Sequence, residues 1–340
     1  MSNAPGRTGV LLVNSGTPAS PSVRDVRRFL AAFLSDPRVV ELPRAAWLPI
    51  LHGFVLRTRP AASAKKYLRI WTPEGSPLLV ISQALRAALI EKLNARGDAP
   101  LIELGMLYSA PSVAEGLATL RASGADRILV LPLFPQYSGA STGAAFDAVA
   151  KALTPLRVVP ELRFVTSYHA RRDFIAAWCG SIESVWQAQG RTSHTLFSFH
   201  GIPQRAIDRG DPYAVQCHQT ASELAGALRL RPDEWSISFQ SRVGVARWLQ
   251  PYTFELVGQL PGKGIGDLTI ACPGFAVDCL ETLEEIGIEN RERFMSAGGK
   301  RFLYAPALNA GSAHAELLAQ IIRLQTQGWH GAGSGPPAIA

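Results

Sequence analysis

Short runs of consecutive apolar residues recur along the chain, each bounded by Gly, Pro or polar residues. They lie at 9–13, 101–108, 127–133, 162–165, 195–200, 235–239 and 268–271. Continuous apolar runs of this length, as opposed to alternating ones, suit strands buried on both faces of a parallel sheet. The segments between them carry apolar residues at helical spacing. Val26, Phe29, Leu30 and Phe33 follow Ser22 and Asp25, and 78–93 is a helical stretch ended by Gly97-Asp98. Helices are also predicted over 112–122, closed by Ser123-Gly124, over 173–187 and over 211–228. The alternation predicts an α/β protein with doubly wound parallel sheets, whose polar strand ends gather at one edge. Two strands run into similar turns, Ser15-Gly16-Thr17-Pro18 and His200-Gly201-Ile202-Pro203. This repetition suggests two similar halves.

Composition narrows the class. With 340 residues, 47% hydrophobic and 18% charged, the chain has material for two globular units. Its 34 basic and 27 acidic residues leave a formal charge of +7, which either simply keeps the chain soluble or suits an anionic ligand or an anionic membrane surface. No compact Lys/Arg stripe with interleaved aromatics occurs, so no nucleic-acid partner is expected. The cysteines Cys179, Cys217, Cys272 and Cys279 form no C-x-x-C pair, which argues against a zinc ribbon or a thioredoxin-type site. Residues 1–8 lack the apolar core of a signal peptide, and no apolar stretch is long enough to span a bilayer. A cytoplasmic protein with reduced thiols is expected, and the Gly/Pro/Ala-rich tail 331–340 is expected to be disordered.

Three stretches carry candidate chemistry. The aromatic run Leu196-Phe197-Ser198-Phe199 ends at His200, and Gly201 and Pro203 then force a turn. Such a strand delivers an imidazole to the carboxyl edge of a sheet, where ligands bind. The histidine either caps the strand through backbone or serves as proton carrier or metal ligand. The second stretch runs from Cys272-Pro273-Gly274 into a predicted helix beginning at Asp278. Spacings of three and four place Asp278, Glu281 and Glu285 on one helical face. Those acids either complement the helix dipole in water or pass a divalent cation or protons inward. Carboxylate and imidazole donors together suit a first-row metal such as Fe(II). The third stretch, 38–60, holds Trp47, Leu48, Ile50, Leu51, Phe54, Val55 and Leu56 among Arg44, Arg57 and Arg59. It is either an amphipathic core helix or an apolar lip over a pocket, with residues 44–57 resting on lipid. Tyr67, Trp71 and the turn Glu74-Gly75-Ser76-Pro77 line the same pocket in the second case. Gly262-Lys263-Gly264-Ile265-Gly266 precedes a strand instead of following one, so it reads as a turn and not a phosphate loop.

Longer motifs then identify a resemblance. F-H-G-I-P-Q-R at 199–205, F-Q-S-R-V-G at 239–244 and C-P-G-F-A-V-D-C-L-E-T-L-E-E at 272–285 resemble ferrochelatase. So do L-L-V-N-S-G-T-P at 11–18, L-P-L-F-P-Q-Y-S at 131–138 and P-A-L-N at 306–309, so the likeness covers roughly residues 9–327. The resemblance implies the chelatase fold: two similar Rossmann-like domains, each a four-stranded parallel sheet flanked by helices, with a porphyrin cleft between them. The first would comprise 1–158 completed by 304–330, and the second 159–303, carrying His200 and Glu281. It implies insertion of Fe(II) into protoporphyrin IX to form protohaem, the terminal step of haem biosynthesis. His200 matches the family's active-site histidine, and Glu281 the carboxylate paired with it at the metal. Asp278 and Glu285 match acids of a proton or metal relay. Tyr67, Ser76, Tyr108, Trp248 and Phe275 match positions that line or support the porphyrin pocket.

Departures from the family pattern refine this. Gly139 follows Ser138 where cluster-bearing members have Cys, and no cysteine follows Cys279, so no iron–sulfur cluster is expected. Cys279 stands where some members have His, as is common in the proteobacterial branch; it is either functional or a core thiol. Ser15 replaces a Met or Tyr that other members present to the ring. Rival readings are a coproporphyrin or other tetrapyrrole chelatase and a non-catalytic porphyrin or haem carrier. A monomer in peripheral contact with membrane is expected.

Overall fold

The computed structural model describes residues 7–95, 100–244 and 246–329. The expected helix end at Gly97-Asp98 and the tail 331–340 lie outside these residues. Among the described residues, two four-stranded sheets form, both entirely parallel. The first has β1 (Arg7–Asn14), β2 (Leu101–Met106), β3 (Ala125–Pro132) and β4 (Glu161–Phe164) in the order β2-β1-β3-β4. The second has β5 (His194–His200), β6 (Trp235–Gln240), β7 (Asp267–Ala271) and β8 (Arg301–Ala305) in the order β6-β5-β7-β8. The two orders are the same, which bears out the two similar halves. In each sheet the first strand is interior and its chain neighbours lie on opposite sides. The crevice between β1 and β3, and that between β5 and β7, are therefore the topological switch points where ligands bind.

Parallel strands need crossovers, and helices supply them. Before β2 come α1 (Val23–Leu34), α2 (Arg44–Ile50), α3 (Leu56–Ile70) and α4 (Pro77–Asn94). Helix α5 (Val113–Ala122) leads to β3, and α6 (Ala144–Leu153) to β4. Helix α7 (Arg172–Gln189) leads to β5, and α8 (Gln204–Asp208) with α9 (Tyr213–Ala227) to β6. Helix α10 (Thr253–Gln259) precedes β7, α11 (Arg291–Ser296) precedes β8, and α12 (Ser312–Gln325) follows it. Among the described residues three segments are π-helical: Leu51–Val55, Gly139–Gly143 and Glu281–Asn290. Local signals account for several boundaries. Ser22 Oγ accepts the Asp25 N–H, and Ser112 and Glu115 form a reciprocal capping box.

The core explains why the interior strands read as continuous apolar runs. Leu11 and Val13 pack outward with Ile128 and Val130 under α5 and α6. Val10 and Leu12 point to the other face and join one large cluster that also holds Phe197 and Phe199 of β5. On the far side of the second sheet, Leu196, Leu268 and Ile270 pack with Ile286 and Phe294. The shared cluster contains Leu85, Leu89 and Leu93 of α4 and much of α12, and α12 packs against both α4 and α7. The last helix thus packs against helices of both units, and strand β4, expected in the second unit from residue 159, instead closes the first sheet beside β3.

Several elements differ from the sequence expectation. The strand expected over 101–108 ends at Met106, because Leu107 and Tyr108 donate their N–H groups to Asn14 and Ser15 in the following turn. The edge strand β8 and helices α6 and α10 were not anticipated. The helix expected from Asp278 begins only at Leu280 and continues as a π-helix. The glycine-rich 262–266 stretch is a turn, with Gly264 in the left-handed region at φ +85°.

Candidate active site

His200 ends β5 opposite Gln240 of β6, and its side chain is half-buried. Its Nδ1 lies 2.6 Å from the Gly201 carbonyl oxygen. A carbonyl only accepts, so Nδ1 carries a proton and donates it. In the neutral ring, Nε2 then keeps a free lone pair. Trp248 and Phe275 flank the imidazole, each with ring centroids 6.5 Å away. Gly201 permits this arrangement: a Cβ there would sit 2.9 Å from the Gln240 carbonyl oxygen and 3.2 Å from the Trp248 ring. The backbone-capping reading of His200 holds: Nδ1 braces the strand end, and Nε2 makes no hydrogen bond among the described residues.

The carboxylates come from the π-helix after β7. Gln240 donates to the Glu281 carbonyl oxygen at 2.8 Å, pinning the helix start to the end of β6. Glu285 accepts the Ser241 N–H at 2.8 Å and the Ser241 hydroxyl. Burial pushes the Glu285 carboxyl above its ordinary range; the Ser241 bonds and the His200 charge work against that shift, and the Glu281 charge adds to it. Glu281 faces the first sheet's helices. After burial, its charge is the main influence raising the Tyr67 phenol and the Cys279 thiol, and it partly offsets the burial that lowers Arg59. His200, Glu285, Glu281 and Tyr67 thus form one electrostatically connected set spanning both sheets.

Asp278 does not share the face of Glu281 and Glu285. It precedes the helix, is buried, and accepts bonds from Tyr304 Oη, from Asn309 Nδ2 at 2.7 Å and from Thr282 Oγ1 at 2.8 Å. Asn309 also accepts the Asp278 N–H at 2.8 Å, and His314 donates Nδ1–H to the Asn309 carbonyl at 2.6 Å. This network anchors the strand-to-helix turn that presents Glu281.

The other expected pocket residues divide between the two strand-end regions. Trp248 and Phe275 adjoin His200. Ser76 and Tyr108 lie by the end of β1: Ser76 Oγ is 2.7 Å from Thr17 Oγ1, and the Tyr108 N–H donates to Ser15 O. The Tyr108 hydroxyl donates to Asp36 at 2.8 Å, and its ring meets Phe33 edge-on. Tyr67 is buried against Trp71. Gln240 and Ser241 belong to the F-Q-S-R-V-G motif, and only their spatial meeting with Glu285 reveals a role for them. Arg59, grouped in sequence with the lip, makes no hydrogen bond or ion pair among the described residues, and burial lowers its pKa. It is a partly desolvated cation beside Glu281.

The 38–60 stretch takes the core-helix form and leaves part of its apolar surface uncovered. Leu51 and Leu56 are buried with Val26, Leu30 and Leu34 of α1, and Trp47 donates Nε1–H to Leu34 O. On its outer side Phe54 is 67% exposed and Ile50 49%.

Two like-ordered parallel sheets, an aromatic-walled imidazole at one switch point and paired acids from the adjoining crossover define a two-unit α/β protein of the chelatase fold. SirB from Bacillus subtilis, solved with Fe3+, superposes with a TM-score of 0.56 at 12% identity, covering 94% of this chain and 96% of that one. CbiX, described as the terminal enzyme for siroheme biosynthesis in denitrifying bacteria, gives 0.50 at 13% identity over 94% and 98%. The family model described as Ferrochelatase matches residues 7–326. A ferrochelatase of Methylococcus capsulatus is 52% identical over 93% of this chain and 96% of its own length. One of Thioalkalivibrio sulfidiphilus is 48% identical over 99% and 92%. The chain belongs to the ferrochelatase family.

Proposed function

We infer that the chain inserts Fe(II) into protoporphyrin IX, releasing two pyrrole protons and forming protohaem as the terminal step of haem biosynthesis. The observation that carries this reading is the His200 lone pair: Nδ1 is committed to Gly201, and Nε2 is left free between Trp248 and Phe275. A porphyrin accepts metal only as its two N–H protons leave. Nε2 is the group to take one of them as general base. The same nitrogen cannot hold iron while it holds that proton, so the two acts at His200 are successive. Glu281 and Glu285 are the metal and proton partners, carried by the π-helix of the same unit as His200. Tyr67, Ser76, Tyr108, Trp248 and Phe275 line or support the porphyrin side, and Arg59 supplies a cation suited to a carboxylate on the ring edge. The bonds of Asp278 favour an anchoring role over a place in the relay.

Gly139 in place of a cysteine supports a reaction that runs without an iron–sulfur cluster. We read the chain as a monomer of two units that works in the cytoplasm at a membrane surface, where Ile50 and Phe54 would contact lipid. No described helix is long and apolar enough to cross a membrane.

Anaerobic conversion of protoporphyrin to metalloporphyrin, followed by absorbance, tests the reading. His200→Ala should stay folded by circular dichroism and lose about 10²- to 10⁴-fold in turnover, the range of a positioned acid–base group. Near-normal turnover by that variant would overturn the assignment. Parallel assays with coproporphyrin identify the preferred ring, and a wild-type chain that binds porphyrin without inserting metal would be a carrier.

A further inference from the structure

The π-helix bears a carboxylate that the cleft does not use. The Glu284 side chain is 1% exposed, lies next to Glu285 in sequence, and faces α3 of the first unit. Arg69 Nη1 donates to its Oε1 at 3.0 Å. Lys66 Nζ is 3.3 Å from its Oε2, close enough for charge attraction but not aligned for a hydrogen bond. The same two cations reach outward as well: Lys66 to Glu289 at 2.7 Å and Arg69 to Glu292 at 2.9 Å. Both donors lie on one turn of α3, and every acceptor lies on the π-helix or α11. The cluster therefore ties one sheet's crossover to the other's.

Its position gives it a use. Tyr67 lies between Lys66 and Arg69 and forms a cleft wall, while Glu281 and Glu285 lie within three residues of Glu284 on the opposing helix. Two cations, each 42% exposed, on a buried carboxylate stabilise little compared with apolar packing, but they fix one arrangement. The internal ladder of the ten-residue π-helix does not fix its rotation against its neighbours; contacts do, from Gln240 and Ser241 on one side and from Lys66 and Arg69 on the other. We propose that Lys66 and Arg69, through Glu284, are positioning residues that hold the π-helix in the rotation placing Glu281 and Glu285 against the porphyrin-side wall. The inference rests on the insertion reaction proposed above, and neither cation touches substrate.

The test uses full-length Arg69→Met, Arg69→Lys and the double variant Arg69→Met/Glu284→Gln, which removes the stranded carboxylate charge. Arg69→Met should lose about 10- to 100-fold in kcat/KM for Fe(II), the cost of a displacement on the ångström scale. Its porphyrin affinity, read by fluorescence quenching, should change less than about threefold, well under a tenfold energy step. Arg69→Lys should recover most of the loss. In the double variant Tm should return to wild type, while metal efficiency stays low and amide exchange over 281–290 stays faster. If the double variant recovers metal efficiency along with Tm, the cluster is structural and the proposal fails. Wild-type exchange over 281–290 in both Met variants overturns it as well, whether or not the chain inserts iron. Absence of insertion by the wild-type chain defeats the proposed function instead.

Discussion

Replacing Asp278 with Asn separates an anchor from a relay. The carboxylate receives Tyr304, Thr282 and the weaker Ala307 N–H on Oδ1, and Asn309 Nδ2 on Oδ2. An amide has one oxygen. If that oxygen takes the Oδ1 place, the new NH2 faces the NH2 of Asn309, and two donors confront each other. The opposite orientation strands the Tyr304 and Thr282 hydroxyls. The less costly choice loses one charge-assisted bond, about 1.5–3 kcal/mol, and weakens the others to neutral strength, about 1 kcal/mol more. Relief of a buried charge offsets part of this, leaving a net loss of about 2–4 kcal/mol. For units of this size that corresponds to a fall in Tm of about 4–16 °C. Thermal unfolding by circular dichroism reads it directly. A double-mutant cycle with Tyr304→Phe should show coupling of about 1 kcal/mol. Turnover of the folded D278N protein should fall less than that of H200A. An unchanged Tm with turnover down more than about 100-fold, the scale of a lost acid–base group, would refute the anchoring argument and restore Asp278 to the relay.

Two other outcomes are expected. Ile50→Glu and Phe54→Glu should fold normally and lose binding to anionic vesicles at low salt; a wild-type chain that ignores such vesicles would remove the membrane contact. Burial lowers His314 from its ordinary 6.5 to about 4, so its folded form is neutral over that interval while the unfolded chain takes up a proton. Its contribution is complete above pH 6.5 and is lost as pH falls toward 4, amounting to about 3 kcal/mol. His314→Gln should flatten that part of the stability–pH curve, and an unchanged slope would show that the titration lies elsewhere.

The interior strands were legible because each is apolar on both faces, as Val10 to Val13 and Leu196 to Phe199 show. The edge strand β8 was not, since its apolar run is only the four residues Phe302 to Ala305, directly after Gly298-Gly299-Lys300-Arg301. Helix α6 is built largely from alanines, whose spacing gives little signal. His200 could be placed because a strand end is a local feature. The division among the three acids could not be read, because it depends on partners distant in sequence. Tyr304 and Asn309 draw Asp278 away, whereas Ser241 holds Glu285. Local spacing also cannot distinguish α from π winding, so the rotation of the acids required the tertiary contacts of Gln240 and Ser241. Arg59 resembled its neighbours in the lip until its burial near Glu281 set it apart.

The placement of α12 across α4 and α7 has a consequence in time. During synthesis, α4 emerges early with Leu85, Leu89 and Leu93 facing what will become the seam between the sheets. Helix α12, with Leu317, Leu318, Ile321 and Ile322, is the last described element to leave the ribosome. At 5–20 residues per second, the seam stays uncovered for roughly 10–50 s after α4 appears. Both sheets exist before the surface that joins them is complete. The nascent chain thus carries a greasy, half-made joint through most of its production, and the spacing of the cleft walls is fixed only at the end.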